Sequence, residues 1–377
     1  EDYSNFYHEL YPMTFDEPLF NIHINVDYPF NLTGILYFPK LKNQFEIQKN
    51  KVQLYCNQVF ITDEVKNILP EFLTMLHGVV DSPDIPLNVS RSYLQEDGNV
   101  KKISAHITKK VADKLQSMFN NDRADFEQKW DDIGVFIQYG VLTEEKFADK
   151  AASFSLFKTT EGNYYTLEEL KEKIKANQTD KQGNVVVLYA QHKDEQHSFI
   201  DGARSRGYEV VLMDSPLASH FISQLESKHN DVKFKRVDAD VVDKLIEKDD
   251  LLPLSLTEDQ QKTVTSTLQE LVDTKKYHIK VESLSPSEAP IIVTQNEFMR
   301  RMKEQSMMGG GGFYGTLPDN YDIIANGNHP LMNAILANDE SGKAKAKQAI
   351  DLALLAKGLL KGEELTTFIK RSFEQIS

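Results

Sequence analysis

Arg91 ends the loop DSPDIPLNVSR, residues 81–91. Its guanidinium is always charged and presents five donors in a planar fork, which suits a carboxylate or a phosphate. Pro83 and Pro86 deny the loop a helix, and Asn88, Ser90 and Arg91 bring three hydrogen-bonding side chains together just before a helical pattern begins. The chain offers no phosphate-binding loop of its own, since no Walker-type, GxSxG or HExxH sequence occurs. An ion pair to Asp81 or Asp84 is the structural alternative for Arg91. Gln95, three residues after Ser92, also fits a capping box.

Other candidates for chemistry are weaker. His192 and His197 lie near Asp194 and Glu195 but in a polar loop without a third ligand, so no metal site is expected. Cys56, the one cysteine, sits in an alternating strand and reads as a small buried residue. It excludes an intramolecular disulfide and fits a reducing, cytoplasmic setting. Phe298, Met299, Met302, Met307 and Met308 cluster ahead of the tract GGGG. They make either a helix packed on its own domain or an adaptable apolar surface for a binding partner. Near the end, Ile350 and Leu354 in one helix and Leu365, Phe368, Ile369 and Phe373 in the next follow helical spacing. The first of these helices is apolar on two sides and so needs two neighbours. Pairing two such hairpins into a four-helix bundle is the expected dimer interface; packing onto strands of the same unit is the alternative.

The elements that must hold these residues alternate between strand and helix. FNIHINV, TGILYFP and VQLYCNQVFIT read as strands. EVKNILPEFLTMLHGVV reads as a helix with an apolar stripe through Ile68, Phe72, Leu73, Met75, Leu76 and Val79. Ile103, Ile107, Val111 and Leu115 mark one face of a second helix, and DFEQKWDDIGVFIQYG a third, with Trp130 filling the core. NVVVLYA, a helix and EVVLMDS predict parallel strands with a right-handed crossover. The turn QHKDEQH between them lacks the glycines a dinucleotide needs. The expected class is α/β and α+β over several units: 1–160, a large α/β sandwich unit; 161–240, a small one; 241–255, an acidic linker; and 256–377, an α+β dimerization domain ending in a helical hairpin. A length of 377 residues accommodates two or three domains. The net charge of −14 argues against nucleic acid, and no apolar run approaches the ~20 residues of a membrane helix. The opening EDYSNFYHEL has no initiator Met, so the chain reads as a fragment or processed product.

The run LYCNQVFITDEVKNILPEFLTMLHGVVDSPDIPLNVSRSYLQ resembles the middle segment of the ninety-kilodalton heat-shock chaperones. VFITDE, GVVDSPDIPLNVSR and the trailing Leu94-Gln95 carry the likeness. It extends through FYHELYPMTFDEPLF, ILYFPK, FEQKWDDIGVFIQYG and GYEVVLMDSPLASHFISQL, and more weakly through PIIVT and YDIIANGNHPLM. The ending RSFEQIS lacks the acidic tail of cytosolic eukaryotic members, which points to the bacterial branch, the high-temperature protein G type. MMGGGGFYGTLPDN departs from the continuous amphipathic segment expected there.

The resemblance implies a homodimeric, cytoplasmic chaperone that hydrolyses ATP with Mg in an amino-terminal domain and binds non-native client proteins and other chaperones. By the same resemblance Arg91 reaches the terminal phosphate held in that domain, with Asn88 and Gln95 beside it. For Phe298, Met299, Met302, Met307 and Met308, contact with clients is expected from their unbranched, polarizable side chains beside the glycine tract. This chain alone would bind no ATP and be inactive as an ATPase. The rival readings are a free-standing α/β enzyme with its site at the end of NVVVLYA, and a purely architectural dimer.

Overall fold

The computed structural model describes residues 2–40, 52–63, 65, 69–85, 98–247, 252–308 and 318–376. The chain divides into two compact units, Glu1–Leu156 with Tyr164–Leu167 and Phe157–Asn163 with Glu168–Ser377.

In the first unit, helix α1 (Asp2–Leu10) precedes a five-stranded sheet of order β1-β2-β5-β3-β4. The strands are β1 (Phe20–Val26), β2 (Leu32–Phe38), β3 (Val52–Cys56), β4 (Val59–Thr62) and β5 (His77–Asp81). Alternation in β3 buries Val52, Leu54 and Cys56 on one face, as a period of two requires. The helix expected across residues 64–80 does not form over its described part, 69–80. A 3-10 turn, Glu71–Met75, starts after Pro70 and gives way to β5, while Ile68 lies outside the described residues. The β-branched pair Val79-Val80 suits a strand, and β5 is paired on both sides, antiparallel to β2 and parallel to β3. Sheet pairing outweighs a helical stripe that Pro70 interrupts. Gly78 makes the close approach possible: at φ 138°, a Cβ there would stand 2.1 Å from the Ile35 carbonyl oxygen.

Helix α2 (Gly98–Asn121) buries Ile103, Ile107, Val111 and Leu115, the stripe its spacing predicts. The next helical run splits at Lys129 into α3 (Arg123–Gln128), capped by the Asp122 side chain, and α4 (Trp130–Thr143). Trp130 is buried there against Gly134, and α5 (Glu145–Ala151) completes the helical layer. Phe72, Phe136 and Phe147 meet at its centre.

Two three-residue strands, β6 (Leu156–Lys158) and β7 (Tyr164–Thr166), lie where the division runs. The second unit continues with α6 (Leu167–Ile174), β8 (Val185–Ala190), α7 (His197–Ser205), β9 (Val210–Leu212), α8 (Ala218–Lys228), β10 (Val232–Arg236) and α9 (Val242–Leu245). β8 is central and parallel to both β9 and β10, the crossover arrangement expected from the strand–helix–strand spacing. The start of the stretch read as an acidic linker is folded instead. Val242, Leu245 and Ile246 enter the core against β8, because their apolar side chains fall on one side of a short turn of helix while the acids face out.

The remaining elements are α10 (Glu258–Gln269), β11 (Tyr277–Glu282), β12 (Ile291–Thr294), α11 (Glu297–Met308), β13 (Tyr321–Asn326), α12 (Leu331–Leu336), α13 (Glu340–Ala356) and α14 (Gly362–Ile376). Thr257 and Gln260 form a reciprocal capping box on α10. β13 is central, parallel to β11 and antiparallel to β12. Its core joins Ile323 to Val264, Met332, Ile350, Leu354 and Phe368. Among the described residues no helix is long and apolar enough to cross a membrane.

Candidate functional site

Arg91, Asn88 and Gln95 lie outside the described residues, but the root of their loop is defined. The Ser82 hydroxyl donates to the Asn31 carbonyl at 2.6 Å, and the Asn31 amide donates to Asp84 Oδ2 at 2.7 Å. The Gln58 amide donates to Asp81 Oδ2 at 2.7 Å. Each acid weighed as a partner for Arg91 thus already accepts a main-chain hydrogen bond, which ties the loop root to the β1–β2 and β3–β4 turns.

The methionine-bearing segment is α11. Asn296 starts it by accepting from the Met299 amide at 3.1 Å. Its inward side is charged. Arg300 is 5% exposed, whereas Phe298 is 65%, Met299 43% and Met307 59% exposed. Met302 is half-buried. This reverses the usual amphipathic helix, whose apolar stripe faces the core. Phe298 and Met302, with Lys233 and Lys235 of β10, help line a groove of about 450 Å³. The side chain of Met308 lies outside the described residues.

The buried charges are paired with one another, although Arg300 Nε has no hydrogen-bond partner among the described residues. Glu297 Oε1 accepts from the Tyr189 hydroxyl at 2.7 Å, from Arg300 at 2.7 Å and from Arg301 at 2.6 Å. Arg300 also donates to Glu304 and to the Tyr189 hydroxyl, and Arg301 reaches Glu226 at 2.7 Å. Beside them Asp238, 3% exposed, binds both Arg236 and Lys357. Burial pushes the Asp238 carboxyl up, but Arg236 and Lys357 more than reverse this and hold it far below the usual carboxylate range. Burial likewise opposes ionisation of Glu297, and Arg300 and Arg301 bring it down. Burial draws the Lys357 ammonium downward against the pull of Asp238. Such a cluster holds its parts in one arrangement, because breaking any pair strands a buried charge.

The terminal helices sort the expected interface residues. Ile350, Leu354 and Phe368 are in the unit's own core and Leu365 packs against it. Ile369 at 44% and Phe373 at 68% are exposed, as are Leu352 and Leu355. Asp351 accepts from Lys347 at 2.6 Å and from Arg371 at 2.7 Å, pinning α14 onto α13. The His192 amide donates to Gln196 Oε1 at 3.0 Å in an exposed turn. Among the described residues no three His, Cys, Asp or Glu side chains gather as a metal site.

Sequence reasoning missed Tyr189, Glu226, Arg236, Asp238 and Lys357, which come from distant positions. The available signal was the spacing of Glu297, Arg300, Arg301 and Glu304 at i, i+3, i+4 and i+7, which sets four charges along one side of α11.

A model described as Hsp90 protein matches residues 1–366. The chaperone protein HtpG of Bacteroides fragilis is 45% identical over 100% of this chain and 65% of its own length. HtpG of Bacteroides thetaiotaomicron shows the same figures, and that of Porphyromonas gingivalis is 44% identical over 99% of this chain and 64% of its own length. The chain thus spans about 65% of the length of these relatives.

Proposed function

This chain belongs to the Hsp90 family, and from that premise we propose that it is the client-binding and dimerization portion of an ATP-dependent, cytoplasmic chaperone. The observation that carries the reading is the reversed polarity of α11. An apolar side that the core does not use, backed by a rigid charged side, is an interaction surface by construction. Unbranched methionines suit partners of varied shape, as non-native proteins are.

In this reading Arg91 serves ATP held by another domain of the intact chaperone, with Asn88 and Gln95 as polar neighbours. A nucleotide with Mg supplies the transferable phosphoryl group; the guanidinium stabilises charge that spreads over its oxygens. The anchored root of residues 81–85 supports this role, because a pinned base allows an arginine to be aimed. Two protomers join through the exposed apolar side chains of α13 and α14. The architectural-dimer reading explains these helices equally well but leaves the outer side of α11 without a use.

The test is suppression of aggregation of a thermally unfolded model protein by this chain. Phe298→Ser with Met299→Ser should reduce suppression at least threefold while the melting temperature stays put, since exposed substitutions move stability by only about ±0.5 kcal/mol. Unchanged suppression by a folded variant refutes the assignment of clients to α11.

A further inference from the structure

β10 is an edge strand, at one end of the order β10-β8-β9. In a parallel pair, alternate residues turn their peptide groups away from the neighbour. Val237, just past the strand, donates inward to the Tyr189 carbonyl at 2.9 Å, so Phe234 and Arg236 face outward. An open edge of this kind is a template for another chain. Here both peptide groups of Phe234 and the amide of Arg236 are taken by side chains. The Phe234 amide donates to Glu226 Oε1 at 2.7 Å, the Phe234 carbonyl accepts from Arg301, and the Arg236 amide donates to Glu297 Oε2 at 3.2 Å. Arg301 also bridges Glu226 at 2.7 Å and Glu297 at 2.6 Å, joining the three into one device. The opposite edge is closed differently: Thr159 bridges Val211, and the Thr160 amide donates to the Val210 carbonyl at 2.9 Å. That edge is covered by main chain; on β10 main chain takes only the ends, where the Val232 amide donates to the His229 carbonyl at 3.0 Å and the Arg236 carbonyl accepts from the Ala239 amide at 2.9 Å, and side chains cover the groups between.

We propose that Glu226, Glu297 and Arg301 substitute for a fourth strand, closing β10 against pairing with an extended acidic polypeptide. The class of excluded partner follows from Lys233 and Lys235, which alternate with the buried Val232 and Phe234. A strand added to this edge would set its own side chains beside those lysines, where acidic residues are favoured and a second copy of the lysine-bearing strand is repelled. The inference stands whether or not α11 binds clients.

Amide hydrogen exchange of the whole chain tests the clamp. In the unsubstituted protein the Phe234 amide should be protected like that of Val237. Glu226→Ala should speed Phe234 exchange about tenfold or more, the loss of one hydrogen bond to a charged acceptor, with Val237 unchanged as the control for folding. Glu226→Gln keeps an acceptor oxygen and should retain most of the protection. A labelled alternating Glu-Val octapeptide should bind the Glu226→Ala, Arg301→Ala protein but not the unsubstituted one, and lose binding when Lys233→Glu and Lys235→Glu are added. Unchanged Phe234 exchange in Glu226→Ala overturns the clamp. Equal binding of the octapeptide to both proteins, or to neither, overturns its role in excluding a strand.

Discussion

Replacing Asp238 by leucine removes the carboxylate at the centre of the buried charge cluster. Arg236 loses a two-point contact, one arm of which is 3.0 Å, but keeps acceptors in Gln191 at 2.7 Å and Gln295 at 3.3 Å. Lys357, whose side chain is 8% exposed, loses its carboxylate and, among the described residues, keeps its position over the Phe199 ring. Breaking a buried pair by removing one partner costs about 3–5 kcal/mol. The lower half of that range is expected, because burial already eases proton loss from Lys357. A domain of this size shifts by about 2–4 °C per kcal/mol, so the second unit should melt roughly 6–15 °C lower by circular dichroism. Adding Lys357→Met should recover about half of the loss, since both partners are then apolar. The pH profile supplies an independent check. The folded-state value of Asp238 is depressed, so its stabilisation is complete above about pH 5 and declines as pH falls through and below the unfolded carboxylate value. The gap between the unsubstituted protein and Asp238→Leu should therefore narrow by about 1 kcal/mol from pH 4 to pH 3 in urea titrations. A deficit below about 1 kcal/mol at pH 7, or a gap that widens in acid, would refute the reasoning.

In the intact chaperone, Arg91→Ala should leave ATP affinity by calorimetry nearly unchanged while hydrolysis falls more than about tenfold; equal loss of both would assign Arg91 to binding or folding. Ile369→Asp with Phe373→Asp places charge on exposed positions and should give monomers by light scattering with the helical circular dichroism retained, whereas persistent dimers would put the interface elsewhere. Phe368→Asp, by contrast, strikes the protomer core and should unfold the terminal hairpin, seen as lost helical circular dichroism. Gly78→Ala drives a methyl into the Ile35 carbonyl at a left-handed φ and should destabilise the first unit by about 2–4 kcal/mol, read from its urea midpoint.

Periodicity and turn chemistry, which are local, were readable along the chain. The runs of β-branched and aromatic residues became β1, β2, β3 and β8, and the four-residue spacing of Ile103, Ile107, Val111 and Leu115 became the buried side of α2. The split of α11 into an apolar and a charged side was equally visible. What the residues alone left open was which side faces in. That was decided by neighbours remote in sequence, because the outward peptide groups of β10 and the Tyr189 hydroxyl gave the charges partners that water would otherwise supply. The same distinction explains residues 77–81, which looked like the end of a helix until two flanking strands offered a complete set of main-chain hydrogen bonds. It also explains Ile350 and Phe368, whose spacing marks an apolar side but not which of two possible neighbours covers it. Helical and strand patterns record how a segment meets a boundary between oil and water; where that boundary runs is a property of the assembled fold.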